Sequence, residues 1–246
     1  MWGERPIALE KDALRRRLYA PIAYAPVRNT AVVPVVHSEA YRLATWFPLM
    51  WRKHGPEFEL VAVRSLIDDQ RAQPAAARAV LPLILHAYPF VFDPKIFPDE
   101  GGERMLDDVF ADAPTDVGAS ITTVGGKLSR ATIQRFRILD GLVHELRLTR
   151  EIGKALADLD LFAPAELKFD IQGRSIEIPD LLVVRQGAFD GGLFSTVLEK
   201  FGAPAALVLG LHRVSLFRAG LLLAMARKAL QQSSASLQDD KAHSAA

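Results

Sequence analysis

Cysteine is absent from this 246-residue chain. That absence excludes a thiol nucleophile, iron–sulfur clusters, thiolate zinc sites and disulfide bridges. Long apolar runs are missing as well. Those that do occur, at residues 203–211 and 219–226, fall well short of the ~18–20 residues of a bilayer span. Neither sign of charge dominates: 30 Lys and Arg face 29 Asp and Glu, a formal net charge of +1. Such a balance argues against a protein built to coat nucleic acid. Lys11 and Arg15–Arg17 make the N-terminal region basic, but no apolar stretch follows them. No secretory leader is expected, and the expected location is the cytoplasm, with leaderless export left open.

What is present fits a soluble globular protein: 50% apolar residues and 24% charged. Domains usually take ~100–200 residues, so one large domain or two small ones fit the length. A chain of this size needs no metal or disulfide staple to hold a core. Residues 1–30 carry Pro21 and Pro26 and read as an irregular arm. The β-branched run Ala31–Val36 reads as a strand, and its Pro34 favours a sheet edge. His37–Thr45 reads as a short helix. Trp46–Trp51 and Phe58–Ser65 read as strands parted by His54-Gly55-Pro56. In the second, Phe58, Leu60, Ala62 and Arg64 alternate with residues that are themselves largely apolar, so both faces are expected to be covered.

Pro74–Ala87 reads as an alanine-rich helix kinked or ended at Pro82, and Tyr88–Phe92 as extended chain. Prolines and paired glycines between 93 and 127 predict loops. Apolar residues at three- and four-residue steps from Ile133 to Leu159 predict a long helix over 129–161. Leu167–Ile171 and Ser175–Ile178 read as a hairpin and Leu181–Val184 as a further strand. Helices are predicted at 192–201 and 213–230, and a disordered tail over 233–246. The expected fold is α+β: short antiparallel strands packed against several helices, one long and central. A compact domain over 31–232 would draw its sheet from both halves of the chain.

Several segments, taken in order, resemble the SapC family, named for a surface-layer-associated bacterial protein. They are Val33-Pro34-Val35-Val36 with Glu39 and Phe47-Pro48, and then Tyr88-Pro89-Phe90. Leu159–Pro164, Asp180–Val184 and Leu211–Leu216 follow. Pro82 and His86 fall in the segment before the tyrosine, and His86 stands where the family usually has arginine. Two segments depart from the pattern, Met105–Asp108 and the Gly125-Gly126 loop. The resemblance supplies no catalytic residues. It implies an accessory or substrate-presenting role linked to the bacterial surface, with a tailoring oxidoreductase as one partner class.

Each chemistry-bearing motif has a plainer reading beside it. His37-Ser38-Glu39 groups an imidazole, a hydroxyl and a carboxylate, yet triads assemble in space, and Ser38 as a helix cap with Glu39 near the positive end of the helix dipole explains the triplet better. His144-Glu145 lacks the second histidine of a zinc-protease helix, because position 148 is Leu148. Asp107, Asp108, Asp112 and Asp116 do not match a calcium loop. Gly125-Gly126-Lys127 before a helix could face an anion but lacks the P-loop spacing. His212 and Ser215, three apart, fit a buried histidine–serine hydrogen bond better than catalysis.

No cofactor, metal site or catalytic set is therefore expected. The expected role is non-catalytic: holding a peptide or protein partner against Tyr88, Phe90, Trp46, Trp51, Glu39 and His86. Two alternatives remain. One is an enzyme using Glu39, His86, His212 and the 93–127 loop; the other is a homo-oligomer paired through the C-terminal helix.

Overall fold

A computed structural model describes Gly3 and residues 5–92, 103–165, 167–171 and 173–244. Twelve strands are present among these: β1 Pro6–Ile7, β2 Arg17–Leu18, β3 Val32–Pro34, β4 Leu49–His54, β5 Glu57–Val63, β6 Phe90–Phe92, β7 Arg104–Asp107, β8 Ala119–Ser120, β9 Phe162–Pro164, β10 Leu167–Ile171, β11 Arg174–Ile178 and β12 Leu181–Val184. The α-helices are α1 Lys11–Leu14, α2 Ala25–Asn29, α3 Ala40–Leu43, α4 Leu83–His86, α5 Arg130–Asp158, α6 Gly192–Phe201, α7 Ala203–Ser215 and α8 Arg218–Ser244. The fold is α+β, and every strand pairing is antiparallel.

The main sheet has five strands in the order β3-β5-β4-β12-β9. Its two edge strands end in Pro34 and Pro164, where a missing N–H costs no ladder bond. It is indeed built from both halves of the chain. Side chains alternate across it: Leu49, Trp51, Leu60 and Ala62 join one core with α3, α5, α6 and α7. Met50, Val61, Val63 and Leu181 face a second core made by α8 and the β10–β11 hairpin. Both faces are covered, which is why β5 lacks a polar side.

The helix α5 is the 29-residue spine. Ser129 caps its start by accepting the Thr132 N–H at 3.3 Å. Its C-terminal half, through Ile152 and Leu156, packs on the main sheet. Its N-terminal half, through Leu139, Leu142 and Leu146, packs in another core with β6 and β7. The helix passes so close to β4 that a Cβ on Gly153 would lie 2.7 Å from the Trp51 ring.

The chain departs from its sequence reading in several places. Residues 1–30, read as an irregular arm, form only short elements, yet Ala13, Leu18, Ala23, Tyr24 and Val27 are buried. The alanine-rich segment 74–87 yields only a 3₁₀ turn at Ala75–Ala77 and the short α4, since Pro82 cuts it. The region 213–230 is a bent pair rather than one helix: α7 already runs through the apolar stretch 203–215. The backbone of α8 continues helical through 233–244, where composition reads as disorder; Ala, Leu, Gln and Lys there all favour helix. No single described helix is long and apolar enough to cross a membrane. The α7–α8 pair passes by composition only when joined across a 47° bend.

The junction of α7 with the sheet rests on His212. Its Nε2 accepts the Val184 N–H at 3.1 Å, and its Nδ1 lies 2.7 Å from the Leu49 carbonyl oxygen. The imidazole thus bridges β12 and β4 beyond their direct pairing of Leu182 with Trp51. Accepting at Nε2 requires the proton on Nδ1, hence a neutral ring. Burial pulls its pKa down to about 4. Because the folded value lies below the unfolded one, this group's contribution to stability is complete above about pH 6.5 and is lost as pH falls toward 4. The expected buried His–Ser hydrogen bond forms through the backbone: Ser215 Oγ donates to the His212 carbonyl and also accepts the Leu49 N–H, each at 2.9 Å. His212→Ala would orphan a buried donor and acceptor and open a cavity, so urea unfolding should show a loss of about 3–5 kcal/mol. A loss under ~1 kcal/mol, the size of a minor surface change, would refute this role.

Candidate functional site

The 3₁₀ turn His37–Glu39 and α4 bring two of the sequence candidates together. Glu39 is buried. Its Oε1 accepts the Val36 N–H at 3.1 Å and its Oε2 accepts the Leu83 N–H at 2.8 Å. Arg42 lies 3.4 Å from Oε2 and also donates to the Leu81 carbonyl at 2.8 Å. Burial pushes the Glu39 carboxyl up to about 7, against the pull of these donors. His86 is half-buried beside Arg42, and burial followed by that charge pulls its pKa down. Ser38 is exposed and caps nothing; Glu39 does the capping from the third position. His37 Nε2 lies 3.3 Å from a Glu145 carboxylate oxygen, and its Nδ1 lies 3.1 Å from Thr149 Oγ1. Glu145 therefore faces a histidine.

The aromatic candidates do not form a surface. Tyr88, Phe90 and Trp51 are buried, and the Tyr88–Pro89 peptide bond is cis. The Tyr88 hydroxyl donates to Asp107 Oδ2 at 2.8 Å, and Asp107 Oδ1 accepts the Arg5 N–H at 2.6 Å. The phenol is thus a strut between the N-terminal segment and β7, and the β6 side chains have no access to a partner. Trp46 is half-buried against the main core. The reason is the chain's economy: large aromatics next to β-branched strands bury more area inside than a groove would offer.

His212 and Ser215 are spent in the sheet, so the Glu39, His86 and His212 set is not assembled. Within the 93–127 loop, residues 93–102 lie outside the described residues. Lys127 is exposed in the turn before α5, and Ser129 already caps that helix. The loop carboxylates disperse among separate partners: Asp108 to Arg16, Asp112 to Arg28, and Asp116 to the Gly118 N–H. Among the described residues, no group of three His, Asp or Glu could hold a metal ion. The apolar stripe of α8 is used within the chain, where Leu222, Ala226 and Leu230 pack on the sheet.

Two concave surfaces among the described residues are lined by arginine. One, of about 260 Å³, lies on the outer side of Pro89 and is bordered by Arg15, Arg16, Arg17, Tyr19, Leu106 and Phe110. Phe110 is 73% exposed, and the Arg16 guanidinium sits 4.2 Å from its ring centre. Arg17 donates to the Val117 and Gly118 carbonyls at 2.9 and 2.8 Å. The other, also about 260 Å³, lies over Arg64, Arg28 and Arg78. Sequence reasoning missed Phe110 and Arg64 as site residues. Phe110 sits among acidic loop residues and gives no periodic signal. Arg64 had one: just past β5 it continues the alternation of Phe58, Leu60 and Ala62, where a charge needs a reason.

Glu39 generates a pH prediction. Its folded pKa lies above the unfolded value, so its contribution to stability is complete below about pH 4.5 and is lost as pH rises through about 7. In urea titrations across pH 4.5–8, this carboxyl should give a downward slope of up to about 3 kcal/mol. Glu39→Gln should flatten that slope. An unchanged slope in the variant would assign the pH dependence elsewhere.

No curated protein and no solved structure matches the chain. The family model of SapC matches residues 15–209, a span that runs from the arginine cluster through the main sheet into α7, and the chain belongs to the SapC family.

Proposed function

We propose that this protein is a non-catalytic accessory protein that holds a peptide or protein partner in the cleft between Arg15–Arg17 and Phe110. The observation that carries this reading is Phe110 itself: a large aromatic ring left in solvent, with a guanidinium stacked on it, at the mouth of a concave surface. Aromatic and arginine side chains of this kind anchor protein interfaces. The basic triplet favours an acidic segment with an apolar anchor. This site keeps the partner near Tyr88-Pro89-Phe90, as the sequence suggested, but moves the contact from the buried rings to the outer face of Pro89. A tailoring oxidoreductase, or another protein of a surface pathway, is the partner class that the family resemblance suggests.

What further supports a binding role is the employment of the reactive side chains. His212, Ser215, Glu39 and Tyr88 each hold two chain segments together. The test is a tagged pull-down from the native host with mass spectrometry, comparing wild type with Phe110→Ala combined with Arg16→Ala. Wild type should retain one stoichiometric protein. The double variant should retain ~30-fold less, the effect of about 2 kcal/mol at an interface anchor. Equal recovery with both proteins would remove the cleft as the docking site. Recovery of the chain alone, carrying a small molecule, would replace the accessory reading with a ligand-binding or enzymatic one.

A further inference from the structure

Arg64 follows β5 and is 1% exposed. Its Nη1 donates to the Val27 carbonyl at 2.7 Å and its Nη2 to Gln73 Oε1 at 3.0 Å, while Nε has no partner. Both close acceptors are neutral. Gln73 is itself fully used, since its amide donates to the Arg28 carbonyl at 2.6 Å. Burial draws the Arg64 pKa down only to about 10, so it stays charged at neutral pH.

Among the described residues, no carboxylate compensates that charge. Asp112 pairs with Arg28 and Asp69 with Arg71, and Asp68 accepts the Ala31 N–H at 3.0 Å. The buried Glu59, by contrast, has counter-ions: it meets Arg52 at 3.0 Å and Arg150 at 3.8 Å. Burying a guanidinium without one is unfavourable, and proteins ordinarily avoid it. Here a cleft of about 260 Å³ opens over it. Ile22, Val27 and Leu81 supply apolar wall, Arg78 adds positive charge, and Arg28 sits at the rim in its pair with Asp112. Arg78 is exposed and has no ion-pair partner among the described residues.

We propose that this cleft binds a small organic oxyanion, a carboxylate or phosphate group on a short apolar body. Arg78 contacts the head group and Arg64 provides the counter-charge in the wall. Planar guanidinium groups suit both kinds of oxyanion. The volume lies below the ~300–1,000 Å³ of drug-sized pockets, so the body is short. The site shares no residue with the cleft at Phe110 and does not depend on it.

Calorimetry and thermal melting on the full chain, at constant ionic strength, test the proposal. The probes are hexanoate, hexyl phosphate, inorganic phosphate and hexylammonium. At least one of the first two should bind, raising the melting temperature by about 5 °C at a hundredfold excess over Kd. It should bind at least tenfold more tightly than inorganic phosphate and than hexylammonium. The preferred probe identifies the head group. Arg78→Ala should weaken binding about tenfold, and Arg64→Met, checked for folding by circular dichroism, should abolish it. If Arg64→Met fails to fold, Arg64→Lys, which keeps the charge but loses the planar fork, should weaken binding instead. Three results would overturn the proposal: no anion binding above hexylammonium, inorganic phosphate as tight as hexyl phosphate, or full affinity in Arg78→Ala.

Discussion

One imidazole holds the two halves of the main sheet to the helix layer above it. His212 reaches from α7 into the seam between β4 and β12, accepting a hydrogen bond from the Val184 N–H and donating one to the Leu49 carbonyl. Ser215, one turn on, secures the Leu49 N–H. The strands it joins are far apart in sequence and directly pair over only two residues. Without the side chains of α7, the seam would leave buried backbone groups with no partner, which folded proteins rarely tolerate. Histidine suits the position because its neutral ring is both donor and acceptor on opposite sides. Catalytic chemistry would need that ring free, and it is not.

The spine helix solves a second problem, that of joining two cores. At 29 residues it is about 43 Å long from the usual rise per residue, longer than the main sheet needs. Its surplus length carries β6, β7 and the N-terminal segment on the same rod. Gly153 lets the helix approach Trp51 and Phe58 closely where it crosses the sheet. Packing at that distance leaves no room for a side chain, so the glycine is fixed by its neighbours and not by a turn.

Charge is distributed with the same economy. Glu39 links its 3₁₀ turn to α4 through two backbone donors, and Tyr88 and Asp107 link the N-terminal segment to β7. These groups answer to identifiable partners within the chain. The arginines around the two clefts do so less completely, and Arg64 least of all. Positive charge gathered in concave places, in a protein whose net charge is only +1, is the common ground of the two proposed binding sites.

The sequence by itself determined the elements whose physics is local. Periodic apolar residues specified α5, and the alternation and turn residues of 167–178 specified the hairpin. Pro34 placed β3 at an edge, and the ordered motifs identified the family. It also determined that no thiol chemistry occurs. Only the tertiary structure decided which side of each candidate faces water. The period of a strand shows that Phe90 and Trp51 share a face with other apolar residues, but not that the opposing layer closes over them. Nor could spacing reveal that His212 meets Leu49, Val184 and no substrate, because those contacts join residues far apart along the chain. Burial and charge pairing are sums over such distant neighbours, which is why Phe110 and Arg64 emerged as site residues only once the chain was folded.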